Sequence, residues 1–394
     1  MKTTHPGLAL GLAMALIVAV GLDLRPSIAS IGPLLPMLRA DFQLSNAAVA
    51  VLTALPPLLM GLLALPAPWL AHRLGLTQTV LWALALVSLA TLARAFAGSA
   101  AMLFAATIAL SAGIAVAGAL IGGFVKARFP DRAGLLMGIY AMSLGFGSTL
   151  AAGLTLPLVS LTEGWRIGAG IWAVLGVGAI LAWWTLTRQA VAPAQTGRAA
   201  LPLRDKTAWA ISAYGAANSI LFFGFLAWLV PMFLDLGAKN PGLILTSFTL
   251  GFMLANPLPG LSQTPNRRRQ TTLAGALALT GIMGIALVPG LPFVFVPMLA
   301  MGVGASFTLG MTLALERAPD AHQATAWNAM GLAFGYGIGA LGPLMVGVLH
   351  DLSGGYDLPL LAMAAVAAVM LALTPRLTPL PIAAKPASGV ICAR

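Results

Sequence analysis

The sequence predicts an all-α membrane protein whose twelve transmembrane helices form two similar bundles of six. Three observations lead to this prediction: an apolar composition, twelve long apolar segments, and a repeat between the two halves. Of the 394 residues, 59% are hydrophobic and 8% are charged, whereas a soluble domain carries roughly 25% charged residues. The surface of the folded chain is therefore expected to face lipid.

Twelve apolar segments are long enough to cross a membrane, because a helix needs about 20 residues to span the hydrocarbon core. The first runs over residues 7–37 and is too long for the apolar part of a cleaved signal peptide. A polar stretch at the midpoint separates six segments from six. The predicted organisation is an N-terminal bundle (1–187), a cytoplasmic linker (188–206), a C-terminal bundle (207–376) and a cytoplasmic tail (377–394).

The net charge of +11 is distributed in a way that opposes a nucleic-acid partner. With the N-terminus in the cytoplasm, all but five of the 21 Lys and Arg residues fall in cytoplasmic loops or termini. Four are expected in loops on the other side (Arg39, Arg94, Arg166 and Lys239), and Arg25 lies within a span. Because basic residues favour the cytoplasmic side, we expect a multi-pass protein of the bacterial inner membrane with both termini cytoplasmic.

Signatures of enzymes and of metal or nucleotide sites are missing from the sequence. The one cysteine, Cys392, lies in the tail, and no two histidines stand at metal-ligand spacing. No carboxylate pair shares a span, and no nucleotide-binding motif occurs. We therefore expect no catalytic site, no metal, no cofactor and no ATP-driven step. The stretches outside the spans are also too short for the soluble domain of a receptor.

The two halves repeat each other. The loop RFPDRAG (128–134) resembles RAPDAHQ (317–323), and Gly113 and Gly302 precede the two loops by the same number of residues. Parallel repeats of six helices are typical of transporters whose substrate site lies at the midplane between the halves. The glycine-rich strips, such as residues 113–123, are expected to be close-packing faces of helices.

Arg25 stands about midway along the first span. An arginine at the bilayer centre costs at least about 2.5 kcal/mol on insertion scales, so it is expected to face a cavity or a partner. Its planar fork of donors suits an anion. The alternative is a structural ion pair with Asp23.

Asp23 is the acidic residue that lies well inside a span. Positions i and i+2 point to different faces of a helix, so a regular helix would not pair it with Arg25. Pro26 could loosen that turn, because proline removes an intrahelical hydrogen bond. Asp23 is therefore a candidate for proton coupling, with neutralisation of Arg25 as the alternative.

Polar and aromatic residues of the central helices are further candidates for the substrate site. Each could bind substrate, and each could equally hold helices together. They are Tyr140, Asn218, Phe222, Asn256, Asn328 and Tyr336.

The segment PWLAHRLGL (68–76) resembles the loop signature of the major facilitator superfamily, in which Arg73 and Gly75 match. His72 stands where that signature has an aspartate, which puts the gating role of that aspartate in doubt here. The first-span segment GLDLRPSIASIGPLLPMLR (21–39), together with VKARFP (125–130) and AWLVPMFLDLGA (227–238), is similar to the cyanate permease branch. That branch also contains nitroimidazole transporters.

The resemblance implies a major facilitator fold and a secondary transporter that moves a small anionic or polar planar solute, such as cyanate, by alternating access. Arg25 matches the first-helix arginine of the branch, and Asn218 its seventh-helix asparagine. Gly118 and Leu332 replace polar residues of the branch, which implies a less polar cavity. Proton-coupled efflux of nitroimidazole-like or other apolar drugs is therefore the alternative. The expected partners are a small solute and the lipid bilayer, and the expected state is a monomer.

Overall fold

The computed structural model describes residues 6–44, 46–162, 164–187, 201–261 and 267–377. Within these ranges the regular structure is helical. Eleven helical segments are long and apolar enough to cross a membrane, and a bent pair of helices supplies a twelfth. The predicted all-α, twelve-span fold is therefore confirmed. Residues 188–200 of the predicted linker and 378–394 of the tail lie outside the described residues.

The first six spans contain ten helices, because three of the spans are interrupted. Span 1 consists of α1 (Pro6–Leu24), α2 (Pro26–Ala29) and α3 (Ile31–Phe42), and span 2 of α4 (Asn46–Ala64) and α5 (Ala67–Leu74). The third and fourth are continuous: α6 (Leu76–Ala95) and α7 (Ala100–Arg128). A 3₁₀ turn (Pro130–Arg132) leads into α8 (Ala133–Thr162), and the sixth span consists of α9 (Trp165–Gly170) and α10 (Ala173–Thr187).

The last six spans contain eight helices. They are α11 (Lys206–Asp235), α12 (Pro241–Ala255) with α13 (Leu258–Leu261), α14 (Arg268–Leu287), α15 (Pro292–Arg317), α16 (Ala321–Gly339) with α17 (Leu341–Ser353), and α18 (Asp357–Leu373). A 3₁₀ turn (Thr374–Leu377) follows α18.

Proline marks the break that bears most directly on the site. Pro26 has no backbone N–H and its ring opposes a continuous helix, so α1 ends at Leu24 and α2 begins at Pro26. Arg25 is the residue between the two helices. In span 2 the two helices meet at an angle of 54°, next to Pro66.

The repeat seen in the sequence has a structural counterpart in two equivalent glycine contacts. A Cβ built on Gly113 of α7 would lie 2.8 Å from the carbonyl oxygen of Ala83 on α6. One built on Gly302 of α15 would lie 2.4 Å from the backbone nitrogen of Ala278 on α14. Both contacts are closer than any Cβ allows, so the prediction of close-packing glycine faces is confirmed at these positions.

The loops of the repeat differ in detail. Residues Pro130–Arg132 form a 3₁₀ turn, whereas Asp320 caps α16 by accepting a hydrogen bond from the Gln323 N–H at 2.7 Å. We call the end of the bundle that carries Arg73, Lys126, Arg267 and Arg317 the basic end. The opposite end carries Phe42 and Ser353, the last residues of α3 and α17.

Candidate functional site

A cavity lies in the middle of the bundle, between the two halves. We call it the arginine chamber. Arg25 and Tyr140 line it from the first half, and Leu332 and Tyr336 from the second. Its other lining residues are apolar: Leu24, Met60, Ile114, Ala115, Gly118, Leu144, Phe307 and Met311. The expected cavity at the midpoint of span 1 is therefore present.

The guanidinium of Arg25 is held by a tyrosine of the other half. Its Nη2 donates a hydrogen bond to the Tyr336 hydroxyl at 2.7 Å, and its central carbon lies 5.6 Å from the centre of the Tyr336 ring. A guanidinium has five N–H donors, so this bond uses one of them. None of the described ion pairs includes Arg25, and no Asp or Glu is among the residues that line the chamber.

Gly118 and Tyr140 are neighbours in the arginine chamber. A Cβ built on Gly118 would lie 3.6 Å from the Tyr140 hydroxyl and 3.9 Å from Leu332. A longer side chain at Gly118 would therefore occupy the space beside that hydroxyl. The lack of a polar side chain at Gly118 leaves Tyr140 and Tyr336 as the polar neighbours of Arg25 on the chamber wall.

A second cavity is lined by residues of the second half of the chain. We call it the glycine chamber, because Gly215, Gly310, Gly331 and Gly335 line it. The two chambers share four lining residues and are therefore adjacent: Phe307, Met311, Leu332 and Tyr336. The glycine chamber also contains Ile211, Asn218, Ser219, Ala314 and Asn328.

Asn218 and Asn328 differ in how their amides are used. The side chain of Asn218 is 1% exposed, and its Oδ1 has no hydrogen-bond partner among the described residues. Asn328 Nδ2 donates to the carbonyl oxygens of Gly118 at 3.1 Å and Ala119 at 2.9 Å, and so ties α16 to α7. Asn328 therefore joins the halves, while Asn218 Oδ1 is buried without a partner among the described residues.

Asp23 points away from both chambers. A Cβ built on Gly176 of α10 would lie 2.8 Å from Asp23 Oδ1 and 1.9 Å from the Ser88 Oγ of α6. The carboxylate is therefore packed between α1, α6 and α10, inside the first half. Asp23 is 1% exposed, and neither of its oxygens has a hydrogen-bond partner among the described residues. The alternative of an ion pair between Asp23 and Arg25 finds no support in this geometry.

Two of the residues predicted to bind substrate, Asn256 and Phe222, are not among the lining residues of either chamber. Asn256 is fully buried, donates from Nδ2 to the Phe252 carbonyl at 3.0 Å, and accepts from the Thr308 hydroxyl at 3.1 Å. Phe222 belongs to an aromatic cluster, with ring centres 4.5 Å from Phe252 and 5.2 Å from Phe223. This cluster reaches the chambers through Phe307, whose ring centre is 5.8 Å from that of Phe252, and through Tyr336, whose ring centre is 6.2 Å from that of Phe223.

The loop after α5 has the backbone that its glycine allows. Gly75 has φ +84°, a region that favours glycine, and it ends α5 and begins α6. The Arg73 guanidinium lies over the Trp69 ring, 4.5 Å from its centre. Both residues lie at the basic end, remote from the chambers, and their predicted part in gating stays a prediction.

The two halves contact each other at the basic end through a lysine side chain and through close backbone approaches at glycines. Lys126 Nζ donates to the carbonyl oxygens of Leu315 and Ala318 at the end of α15. A Cβ built on Gly260 of α13 would lie 2.4 Å from the Gly134 carbonyl oxygen of α8. A Cβ built on Gly138 would lie 2.8 Å from the Asn256 carbonyl oxygen. These contacts join the two halves at the basic end.

Sequence reasoning missed Arg94. It was expected in a loop, but it is 0% exposed within α6. Its Nη1 donates to the Ser27 carbonyl oxygen of α2 and its Nη2 to the Thr107 hydroxyl at 3.1 Å. The contact made by Lys126 was not predicted from the sequence either. The repeat could have indicated it, because Lys126 and its partner Leu315 are equivalent positions of the two halves, 189 residues apart.

Comparison with known proteins gives matches along most of the chain. A family model described as the Major Facilitator Superfamily matches residues 12–341. The cyanate transport protein CynX of Escherichia coli (strain K12) is 31% identical over 350 residues, covering 87% of this chain and 91% of CynX. The uncharacterized transporter YycB of Bacillus subtilis (strain 168) is 30% identical over 366 residues, covering 90% of each.

Two further matches complete the comparison. The 2-nitroimidazole transporter of Escherichia coli (strain K12) is 27% identical over 370 residues, covering 90% of this chain and 92% of that protein. The solved structure of the proton:xylose symporter XylE has a TM-score of 0.78 at 12% identity, covering 95% of this chain and 97% of XylE. At that identity the structural match speaks for the fold alone.

Proposed function

The chain belongs to the Major Facilitator Superfamily of membrane transporters, and we propose that it moves a small anion such as cyanate across the bacterial inner membrane. Transport would proceed by alternating access, with a site between the halves that opens to one side of the membrane at a time. Arg25 is the central anion-binding residue of this proposal.

The observation that carries the proposal is the environment of Arg25. The guanidinium lines a chamber with apolar walls, holds the Tyr336 hydroxyl at 2.7 Å, and is in none of the described ion pairs. A cation in such surroundings attracts one negative charge more strongly than it would in water. Planar acceptors also match the donor fork of a guanidinium.

Proton coupling through Asp23 is part of the proposal. An ionised carboxylate without partners is costly in an apolar interior, so we infer that Asp23 carries its proton in this conformation. Rearrangement of α1 against α6 and α10 in the transport cycle would hydrate the carboxyl group and release the proton. Because Asp23 and Arg25 lie on different sides of span 1, the proton and the anion would occupy separate sites.

The arrangement in the membrane is also proposed. The excess of Lys and Arg at the basic end supports a cytoplasmic position for both termini. The two bundles (1–187 and 207–376), the linker between them and the cytoplasmic tail keep the limits predicted from the sequence. The chambers lie within one chain, so a monomer suffices.

Proton-coupled efflux of nitroimidazole-like or other apolar drugs is the second candidate function. The glycine chamber favours it, because most of its lining residues are apolar or glycine. The similarity to the 2-nitroimidazole transporter points the same way.

Uptake of radiolabelled cyanate into proteoliposomes tests the proposal, under proton gradients of either sign. We expect saturable uptake by the unchanged protein, loss of it in Arg25→Ala, and partial loss in Arg25→Lys, because lysine lacks the planar fork. Arg39→Ala is the matched control, since Arg39 is exposed on α3 outside both chambers. Absence of uptake by the well-folded unchanged protein would reject cyanate and turn attention to the second candidate.

A further inference from the structure

We propose that a cavity at the basic end binds the headgroup of an anionic phospholipid, with Arg204 and Arg317 as its phosphate-binding residues. We call it the headgroup cavity. The segment 201–207, which leads into α11, lines one side, and the turn between α15 and α16 lines the other, together with the first two turns of α16. The cavity shares no lining residue with either chamber. It is therefore separate from the proposed anion site, and the inference does not depend on the transported substrate.

The first support is a pair of arginines in the cavity wall that retain hydrogen-bond donors. Arg204 is exposed, and its side chain is in none of the described ion pairs. Arg317 is in none of them either, and its Nη2 donates to the Leu377 carbonyl oxygen at 3.1 Å. A guanidinium has five N–H donors, and its planar fork matches the oxygens of a phosphate. Both arginines can therefore bind a phosphate group.

The second support is the way in which the nearby carboxylates are used. Asp205, which also lines the cavity, caps α11: its Oδ1 accepts from the Thr207 N–H at 2.6 Å and the Ala208 N–H at 3.2 Å. Asp320 in the adjacent turn caps α16 through the Gln323 N–H at 2.7 Å. A helix N-terminus carries partial positive charge, which offsets part of the charge of a capping carboxylate. Among the lining residues, two arginines then face one carboxylate, so the cavity favours an anion.

The third support is the apolar surface beside the arginines. Leu203 lines the cavity and is 55% exposed, and Trp209, in the first turn of α11, is 41% exposed. Trp209 Nε1 donates to the Leu203 carbonyl oxygen at 2.8 Å, and its ring centre lies 4.7 Å from that of Phe334 on α16. Tryptophan and basic residues are enriched where membrane spans meet the lipid headgroups. Acyl chains would lie along Leu203 and Trp209 while the phosphate binds the arginines.

This combination favours a lipid over a soluble phosphate compound. A soluble anion would use the arginines and leave the apolar surface uncovered, whereas a phospholipid uses both. Basic pockets between transmembrane helices on the cytoplasmic side bind anionic headgroups in this way. The turn that carries Arg317 is also the second copy of the sequence repeat, at 317–323. Arg128, the equivalent residue of the first copy, does not line the headgroup cavity.

Lipid binding to the purified full-length protein in detergent tests the proposal. Native mass spectrometry is used to titrate dioleoyl phosphatidylglycerol, which is anionic, and dioleoyl phosphatidylcholine, which has the same acyl chains and no net charge. We expect the unchanged protein to bind the phosphatidylglycerol at least about tenfold more tightly. Arg204→Gln combined with Arg317→Gln should weaken that binding by about 10- to 30-fold. Inorganic phosphate should not displace the lipid, because it gains nothing from the apolar surface.

The matched control is Arg128→Gln combined with Arg132→Gln. It removes the same charge at the same end of the bundle, from exposed residues of the first repeat loop, and should keep the affinity of the unchanged protein. Thermal melting reports whether each variant folds. Arg204→Gln alone changes only an exposed residue, and it should weaken phosphatidylglycerol binding by about fivefold even if the double variant fails to fold.

Three results would overturn the inference. They are equal affinity of the unchanged protein for the two lipids, equal loss of affinity in the two double variants, and displacement of the lipid by inorganic phosphate. The last would assign the cavity to a soluble anion. None of these measurements uses a transported substrate, so their failure leaves the proposed anion transport standing. Failure of cyanate uptake likewise leaves the lipid site standing.

Discussion

Arg94, buried in the third span, donates a hydrogen bond to the backbone carbonyl oxygen of Ser27, two residues beyond Arg25. Thr91, one turn earlier on the same helix, donates to the Ser27 hydroxyl at 2.9 Å. The α2 turn that follows the helix break is thus fixed to α6 through both its backbone and its side chain. The position of Arg25 in the arginine chamber depends on a second arginine that lines neither chamber.

Replacement of Arg94 by Met should lower the free energy of unfolding by about 2–4 kcal/mol, because two hydrogen bonds from a buried charged group are lost. It should also raise the KM for cyanate, since the α2 turn is no longer fixed. Uptake kinetics and thermal melting measure the two effects. Arg166→Met is the control: the Arg166–Asp41 pair is half-exposed, 3.4 Å long, and should contribute less than about 1 kcal/mol. An unchanged KM in Arg94→Met would refute the positioning role.

Removal of the Tyr336 hydroxyl should weaken anion binding by about 3- to 10-fold, the effect of one hydrogen bond to a charged partner. Tyr336→Phe keeps the ring that lines both chambers and loses the 2.7 Å bond to Arg25. Tyr356→Phe is the control, since its hydroxyl bonds Asp235 at 2.8 Å outside both chambers. Binding titrations of the two variants should differ. If they lose affinity equally, the Tyr336–Arg25 bond has no part in binding.

Substitution of Asp23 by Asn should leave downhill exchange of substrate intact and abolish accumulation driven by a proton gradient. The neutral amide resembles the protonated carboxyl group, so the free energy of unfolding should change by less than about 1 kcal/mol. Counterflow and gradient-driven uptake distinguish the two activities. Asp41→Asn, at the opposite end, should keep both. Gradient-driven accumulation by Asp23→Asn would exclude Asp23 as the coupling group.

Loss of the Lys126 side-chain amine should open the basic end more often. Lys126→Met removes the bonds to the carbonyl oxygens of Leu315 and Ala318 that join α7 to α15. A cysteine at Ala314, in the glycine chamber, should then react faster with an impermeant thiol reagent added at the basic end, with Cys392 replaced by Ser. Arg128→Met is the control, because Arg128 is exposed. Equal labelling rates in the two variants would contradict a closing role for Lys126.

The sequence was sufficient for the fold because lipid exposure leaves a simple signal, and the fourth predicted span (100–126) corresponds closely to α7 at Ala100–Arg128. It also singled out Arg25, since a charge at mid-span stands out in any apolar context. What it could not resolve is the direction in which a side chain faces. Asn218 and Asn256 are both amides within spans, yet Asn218 is among the lining residues of a chamber, whereas Asn256 is hydrogen-bonded to Phe252 and Thr308.

Arg94 illustrates the same limit. Its position near the end of a span favours a loop, and only the packing of α2 and α7 around α6 explains why a guanidinium is buried there. Likewise, positions i and i+2 of a helix face different directions, which predicts that Asp23 and Arg25 point apart. That rule does not identify Ser88 and Gly176 as the neighbours of the Asp23 carboxylate.

The glycine contact between α8 and α13 bears on the leakage of protons through the protein. A Cβ built on Gly260 would lie 2.4 Å from the Gly134 carbonyl oxygen. At this point the two backbones are therefore too close for a chain of water molecules to pass between them. Protons leak through membrane proteins along such chains of water, and each one that does dissipates part of the membrane potential. A seam made of main-chain atoms cannot be loosened by rotation of a side chain. At this contact between α8 and α13, the close approach of the two backbones therefore opposes the passage of water and protons.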